Sequence, residues 1–122
     1  MPAVGTLADP PPGYRDLVNQ QVLAELRAFV QERDWAQFHT LDNLAKSISI
    51  ESAELLECFQ WSSEGDPDRV RDELADVLTY CLLLADRLGL DPDAIVLEKL
   101  ARTRDKYPVE KARGRSAKYD EL

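Results

Sequence analysis

The chain of 122 residues has one histidine, two cysteines and more acidic than basic side chains. Each shortage removes a class of function. A di-iron carboxylate bundle needs two Glu-x-x-His motifs. His39 is the single histidine and Ala36 stands three residues before it, so that chemistry is excluded. Cys58 and Cys81 each fall inside a helical pattern with no Cys-x-x-Cys neighbour, and they read as buried free thiols in a reducing compartment. Lys and Arg number 15 against 23 Asp and Glu, a net charge of −8. A partner of polymeric nucleic acid is therefore not expected, since that affinity rests on basic surface meeting phosphate. The acidic surplus by itself assigns no function, because solvated acidic faces are common. Long apolar runs are missing too. The longest, Tyr80 to Ala85, falls far short of the roughly 20 residues that span a bilayer. No basic segment followed by an apolar one marks the N-terminus, so no secretory signal and no membrane partner are expected, and the expected location is cytoplasmic.

Hydrophobic residues make up 44% of the chain, enough for the core of one domain. A small chain buries a limited share of its surface, and helix pairing between subunits would cover the rest. Residues 1–13 hold Pro2, Pro10, Pro11 and Pro12 and read as a flexible arm. A first helix is predicted from about Tyr14 to Arg33, with Leu17, Val22, Leu26, Phe29 and Val30 at mostly helical steps. Asp34 to Leu41 reads as an aromatic loop or short turn. A second helix is predicted from about Asp42 to Gln60, capped by Thr40 or Asp42, with Leu44, Ile48, Leu55 and Phe59 as its apolar stripe. Asp66-Pro67 opens a third, ending near Leu88 before Gly89. Asp91-Pro92 opens a fourth, ending at Lys106 before Pro108. The tail, residues 109–122, is charged and reads as mobile. No segment alternates as a strand does. The fold class is all-α, of four-helix bundle type, with residues 14–108 as its domain.

Carboxylates lie where apolar side chains are expected. Successive helical residues turn by about 100°. Val70, Val77, Leu84 and Leu88 of the third helix lie within about 40° of one another, and Glu73 is only about 20° from Leu84. Asp76 follows one turn on, then Tyr80. On the second helix Glu51 falls about 20° from Leu44, and Glu54 is its i+3 neighbour. Burying an uncompensated carboxylate costs several kcal/mol, and a cluster repels itself. Two pairs on consecutive helices, both on the apolar side, outweigh the reading as solvated charge. A hard cation, Mg²⁺, Mn²⁺ or Ca²⁺, relieves them. Glu57 continues the series but drifts from the stripe, as a ligand or a solvated charge.

On the fourth helix Lys99, Arg102 and Lys106 share one side. Alone this is an ordinary basic face near a helix C-terminus. Beside a metal site it suits a polyphosphate. Trp35, Phe38, His39, Trp61 and Tyr80 are candidates for stacking on a base, worth about 1–3 kcal/mol per base. Core packing is the better reading for Phe38 and Phe59. Trp61, after the acidic helix, and His39, before it, read as functional.

These residues resemble the MazG-like nucleotide pyrophosphohydrolases of the all-α NTP pyrophosphatase superfamily, especially the short branch that includes the dCTP pyrophosphatases. The resemblance runs from about Leu23 to Pro108. Trp35-Ala-Gln-Phe-His39-Thr-Leu-Asp-Asn-Leu-Ala looks like the family's opening. Ile50-Glu-Ser-Ala-Glu-Leu-Leu-Glu-Cys-Phe-Gln-Trp61 and Asp72-Glu-Leu-Ala-Asp-Val-Leu-Thr-Tyr80 look like its acidic helices, and Lys99 with Lys106-Tyr107-Pro108 like its close. The resemblance implies metal ligands at Glu51, Glu54, Glu73 and Asp76, phosphate contacts at Lys99 and Lys106, and a base pocket from His39, Trp61, Tyr80 and Trp35. It also implies dimers or dimers of dimers. The family often has Asn where this chain has Thr103, whose reach towards sugar or phosphate is shorter. The expected reaction is Mg²⁺-dependent hydrolysis of a (deoxy)nucleoside triphosphate to monophosphate and pyrophosphate, with Mn²⁺ as a substitute ion, in nucleotide-pool cleansing. Glu51 or Glu54 would orient or deprotonate the water. The alternative is a non-catalytic helical nucleotide-binding or protein-interaction module, with the carboxylates as structural charge.

Overall fold

The computed structural model describes residues 14–122. The expected N-terminal arm, residues 1–13, and the Leu17 side chain lie outside the described residues. Every regular element among the described residues is helical. The chain divides into two compact units, Met1–Leu83 and Leu84–Leu122, with the boundary inside the third helix.

The first unit begins with α1 (Tyr14–Glu32). A left-handed residue, Asp34 at φ 53°, closes it. The Asp34 N–H donates to the Gln31 carbonyl and the Trp35 N–H to the Val30 carbonyl, which satisfies two orphan acceptors in the Schellman pattern. The expected aromatic loop then holds a 3₁₀ turn, Ala36–Phe38. α2 (Leu41–Glu57) starts on Thr40, whose Oγ1 accepts from the Asn43 N–H. Asp42 instead sits in the first turn, where its charge suits the helix dipole and Lys46 pairs with it at 3.1 Å.

α2 stops at Glu57, short of the expected Gln60. Cys58, Phe59 and Gln60 donate to Leu55, Leu56 and Glu57, three residues back, so the last turn tightens and the α pattern ends. In the following turn Ser62 Oγ accepts from the Glu64 and Gly65 N–H groups. Gly65 has φ 66°, and a Cβ there would stand 3.0 Å from Val70 Cγ2 and 3.2 Å from the Cys58 carbonyl oxygen. The turn between the acidic helices thus requires glycine. Asp66 Oδ1 accepts from the Asp68 N–H and opens α3 (Pro67–Arg87).

In the second unit α3 ends on Gly89, at φ 68°, with the Leu90 N–H bonded to the Ala85 carbonyl. Asp91 caps α4 (Pro92–Lys106), and Pro92 takes its first turn, as the sequence predicts. The tail, read from composition as mobile, contains a short α5 (Val109–Ala112) and a 3₁₀ turn, Tyr119–Glu121. No helix among the described residues is long and apolar enough to cross a membrane.

Burial is sparse. Among the described residues the buried apolar side chains are Val30, Leu44, Cys58 and Ala85. Three sequence readings change accordingly. Cys81 is exposed although Cys58 is buried as expected, and both thiols are free. Phe38 and Phe59, expected in the core, are 60% and 38% exposed. Helical periodicity gives the direction of a side chain, whereas burial also needs a neighbour to cover it, and one small chain covers little.

Leu44 is 1% exposed, the most deeply covered side chain among the described residues. Truncation to Leu44→Ala is expected to lose about 2–5 kcal/mol of stability, through lost transfer energy plus a cavity. Urea denaturation of the variant against the parent measures this. A change below about 0.5 kcal/mol, the level of ordinary surface substitutions, would remove Leu44 from the core.

Candidate metal centre

α2 and α3 bring three of the four predicted carboxylates together. Glu51 and Glu54 stand one turn apart on α2, so both leave the same side of that helix. Glu73 joins them from α3, and one carboxylate oxygen from each lies within 4.8 Å of the others. All three are half-buried. Asp76, the fourth predicted ligand, is exposed and falls outside this group. It is close enough for its charge to act on both Glu51 and Glu73. Glu57 is exposed and also outside the group.

The electrostatics follow from the crowding. Glu51 is pushed up from 4.5 to about 7, first by its hydrogen bond with Glu54, then by burial and by the charges of Glu54, Asp76 and Glu73. Glu73 is raised as well, first by burial, then by Glu54 and Asp76, against an opposing pull from Arg69. Each cause disfavours the charged form of Glu51, because a further anion among these carboxylates is repelled.

Two oxygens have nothing to bond. Glu51 Oε2 and Glu73 Oε2 are buried and lack any hydrogen-bond partner. Buried polar atoms are nearly always paired, and exceptions of this kind point to an ion or a reactive role. Three carboxylates with no nitrogen or sulfur among them form a hard oxygen donor set. The residues present therefore fit a hard divalent cation.

The predicted base-stacking residues are more scattered in role. His39 is half-buried and ends the 3₁₀ turn, with its backbone N–H on the Ala36 carbonyl. Trp61 is 91% exposed in the turn after α2. Tyr80 is half-buried on α3, one turn beyond Asp76. Trp35 is occupied: it meets Phe29 of α1 edge to face at 5.5 Å, and the Arg33 guanidinium covers that Phe29 ring at 3.8 Å. Among the described residues no ring contact joins Trp35, His39, Trp61 and Tyr80 to one another.

In the second unit, Lys99, Arg102 and Lys106 are exposed along α4. Thr103 Oγ1 donates to the Lys99 carbonyl at 3.0 Å, so its one proton is engaged inside the helix. Sequence reasoning missed a contact here. Lys106 Nζ lies 4.8 Å from the centre of the Tyr119 ring. The signal was one tyrosine within a charged tail.

The sequence profile of the MazG-like family matches residues 46–122. The chain belongs to the MazG-like family. The matched span includes all four predicted acidic ligands, Lys99, Thr103, Lys106 and the tail, while Trp35 and His39 precede it. Among relatives of this MazG-like chain, human dCTP pyrophosphatase 1 is 37% identical, over 91% of this chain and 74% of its own length. Rat dCTP pyrophosphatase 1 is 38% identical over 77% of this chain, which spans 61% of the rat protein's length. The crystal structure of a pyrophosphatase from Archaeoglobus fulgidus superposes with a TM-score of 0.70 at 44% identity, covering 73% of this chain and 91% of that one.

The raised Glu51 value sets a stability profile with a definite sign. A folded state that holds a proton more tightly than the unfolded chain is favoured at low pH and loses that advantage as pH rises. In chelator, stability is expected to fall as pH rises from about 4.5 through about 7. Glu51→Gln should flatten that interval, and a divalent cation should restore stability at its upper end by replacing protons. Thermal melts across the interval check this. Superimposable profiles for parent and variant would sink it.

Proposed function

We propose that this MazG-like chain hydrolyses a (deoxy)nucleoside triphosphate to the monophosphate and pyrophosphate, in nucleotide-pool cleansing. The observation that carries the reading is the half-buried Glu51, Glu54 and Glu73 group, with two oxygens that lack a partner. The names of the human, rat and archaeal relatives support the reaction class.

Glu51, Glu54, Glu73 and Asp76 would hold Mg²⁺, with Mn²⁺ able to replace it. When bound, the cation supplies Lewis-acid polarisation of phosphate and charge for the leaving pyrophosphate. Asp76, exposed beside the half-buried three, suits the solvent-facing edge of such a site. Glu51 or Glu54 accepts the proton of the attacking water. Glu51, raised to about 7, supports this reading, because a general base works well near neutrality. Lys99 and Lys106 offset charge on the phosphates, as point charges on flexible stems. Thr103 offers lone pairs to the substrate while its proton stays on the Lys99 carbonyl.

His39, Trp61, Tyr80 and Trp35 contact the base. Trp61 suits stacking because its ring is open to solvent, and covering it with a planar base removes apolar surface from water. Two free cysteines fit a reducing compartment, and we place the chain in the cytoplasm. We also read it as a homodimer or homotetramer. In the first unit Phe29, Ile50, Leu56 and Leu78 are exposed, and in the second Val96 and Leu97. Apolar side chains in this density are what a partner subunit covers.

Incubation of the protein with a dNTP panel and Mg²⁺, with products resolved by chromatography, tests the activity. Monophosphate and pyrophosphate in equal amounts are expected. Release of single phosphates, or no turnover across the panel, would refute it. Glu54→Gln is expected to lower kcat at least about 100-fold while helicity by circular dichroism is retained. Sedimentation equilibrium should give the mass of two or four chains, and a monomer at micromolar concentration would end the oligomer reading.

A further inference from the structure

The tail of the second unit ends on the residue that closes α4. Gly114 adopts φ 73°, a conformation that strains other residues, and the Arg115 N–H bonds back to the Ala112 carbonyl. Lys118 is extended, and the chain then turns through Tyr119–Glu121. The Arg115 guanidinium donates to the Glu121 carbonyl at 3.4 Å and ties the end of the tail to its beginning. The Tyr119 ring stands at 83° to Tyr107, with centroids 6.2 Å apart. Its neighbour Lys106 places Nζ 4.8 Å from the Tyr119 centroid.

These contacts select one conformer of an otherwise free side chain. A lysine at an exposed helix end explores many rotamers. Attraction to the negative face of an aromatic ring favours those that bring the ammonium over it. Tyr107 meets Tyr119 in the edge-to-face geometry and so restrains the plane of that ring. The ammonium has several N–H donors, and one ring face leaves others open to phosphate oxygen.

We propose that Tyr119 is a positioning residue for Lys106: the tail presents an aromatic face that holds the ammonium ready for the substrate's phosphates. This rests on the reading of Lys106 as a phosphate contact. Preorganisation of a charged side chain lowers the ordering cost at binding, so it acts on KM rather than on the chemical step.

Tyr119→Leu is expected to raise KM for the triphosphate about two- to five-fold, the range of an exposed cation–aromatic contact, with kcat within two-fold. Tyr119→Phe should stay near the parent, because the ring face is kept. Where the leucine variant fails to fold, a series of fluorinated phenylalanines at position 119 keeps the packing and weakens the ring face, and KM should rise with fluorine count. A double-mutant cycle separates positioning from tail docking. In a Lys106→Ala background Tyr119→Leu should add nothing to KM. An equal rise in both backgrounds would overturn the proposal, as would a KM that is unchanged or lowered by Tyr119→Leu. In the free protein, the Lys106 Hε protons should show an upfield ring-current shift that Tyr119→Leu removes, and absence of that shift also overturns it. If Lys106→Ala leaves KM unchanged although the parent shows the ring-current shift, the phosphate reading of Lys106 falls and the positioning role falls with it.

Discussion

Mutual repulsion among carboxylates is the constraint around which the first unit is arranged. Glu51, Glu54 and Glu73 are held within 4.8 Å of one another on two helices and partly shielded from water. At that separation the charges oppose one another strongly, and burial weakens the screening that would spare them. The crowding pushes the Glu51 carboxyl up to about 7, so that it gives up its proton late. Two oxygens go without any partner. Packing that brings such groups together is unfavourable without compensating charge, and their oxygens form a donor set that fits a hard cation.

The chain holds this arrangement through the turn between α2 and α3. A helix that continued to Gln60 would move the start of α3 and change the register of Glu73 against Glu51. The tightened bonds after Leu55, Ser62 Oγ on the Glu64 and Gly65 N–H groups, the left-handed Gly65 and the Asp66 cap fix where one helix ends and the next begins. Gly65 is the least replaceable of these. Its positive φ and its 3.0 Å clearance from Val70 are independent reasons against a side chain. The chemistry of the cluster is therefore tied to a turn that carries no ligand.

Much of this was legible in the sequence, for identifiable reasons. Caps are local, so Asp66-Pro67 and Asp91-Pro92 marked the starts of α3 and α4 without knowledge of anything distant. The helical wheel placed Glu51 and Glu73 beside apolar residues, and each has a buried oxygen. Coverage was not legible. Phe59 and Cys81, set in helical patterns, and Phe38, in the aromatic loop, read as core, yet little of the chain covers them. Nor did the wheel separate Glu73 from Asp76, one half-buried and one exposed, because a difference of part of a turn decides which oxygen meets a neighbour. The end of α2 escaped for another reason. The switch from four-residue to three-residue hydrogen bonds has no strong residue signature.

The second unit shows how a tail that is polar by composition can still take up local structure. Its residues bury little, and hydropathy alone assigns it no structure. Tyr119 is nonetheless placed by three short-range contacts, with Tyr107, Lys106 and the Arg115–Glu121 closure around it. None of these needs a hydrophobic core, only an aromatic face, a cation and a carbonyl in reach. The family match includes this segment along with the acidic helices. Carboxylates that attract a cation cannot by themselves attract a polyphosphate, since both are anionic. A lysine held by an aromatic ring meets an anion at less entropic cost than one left free.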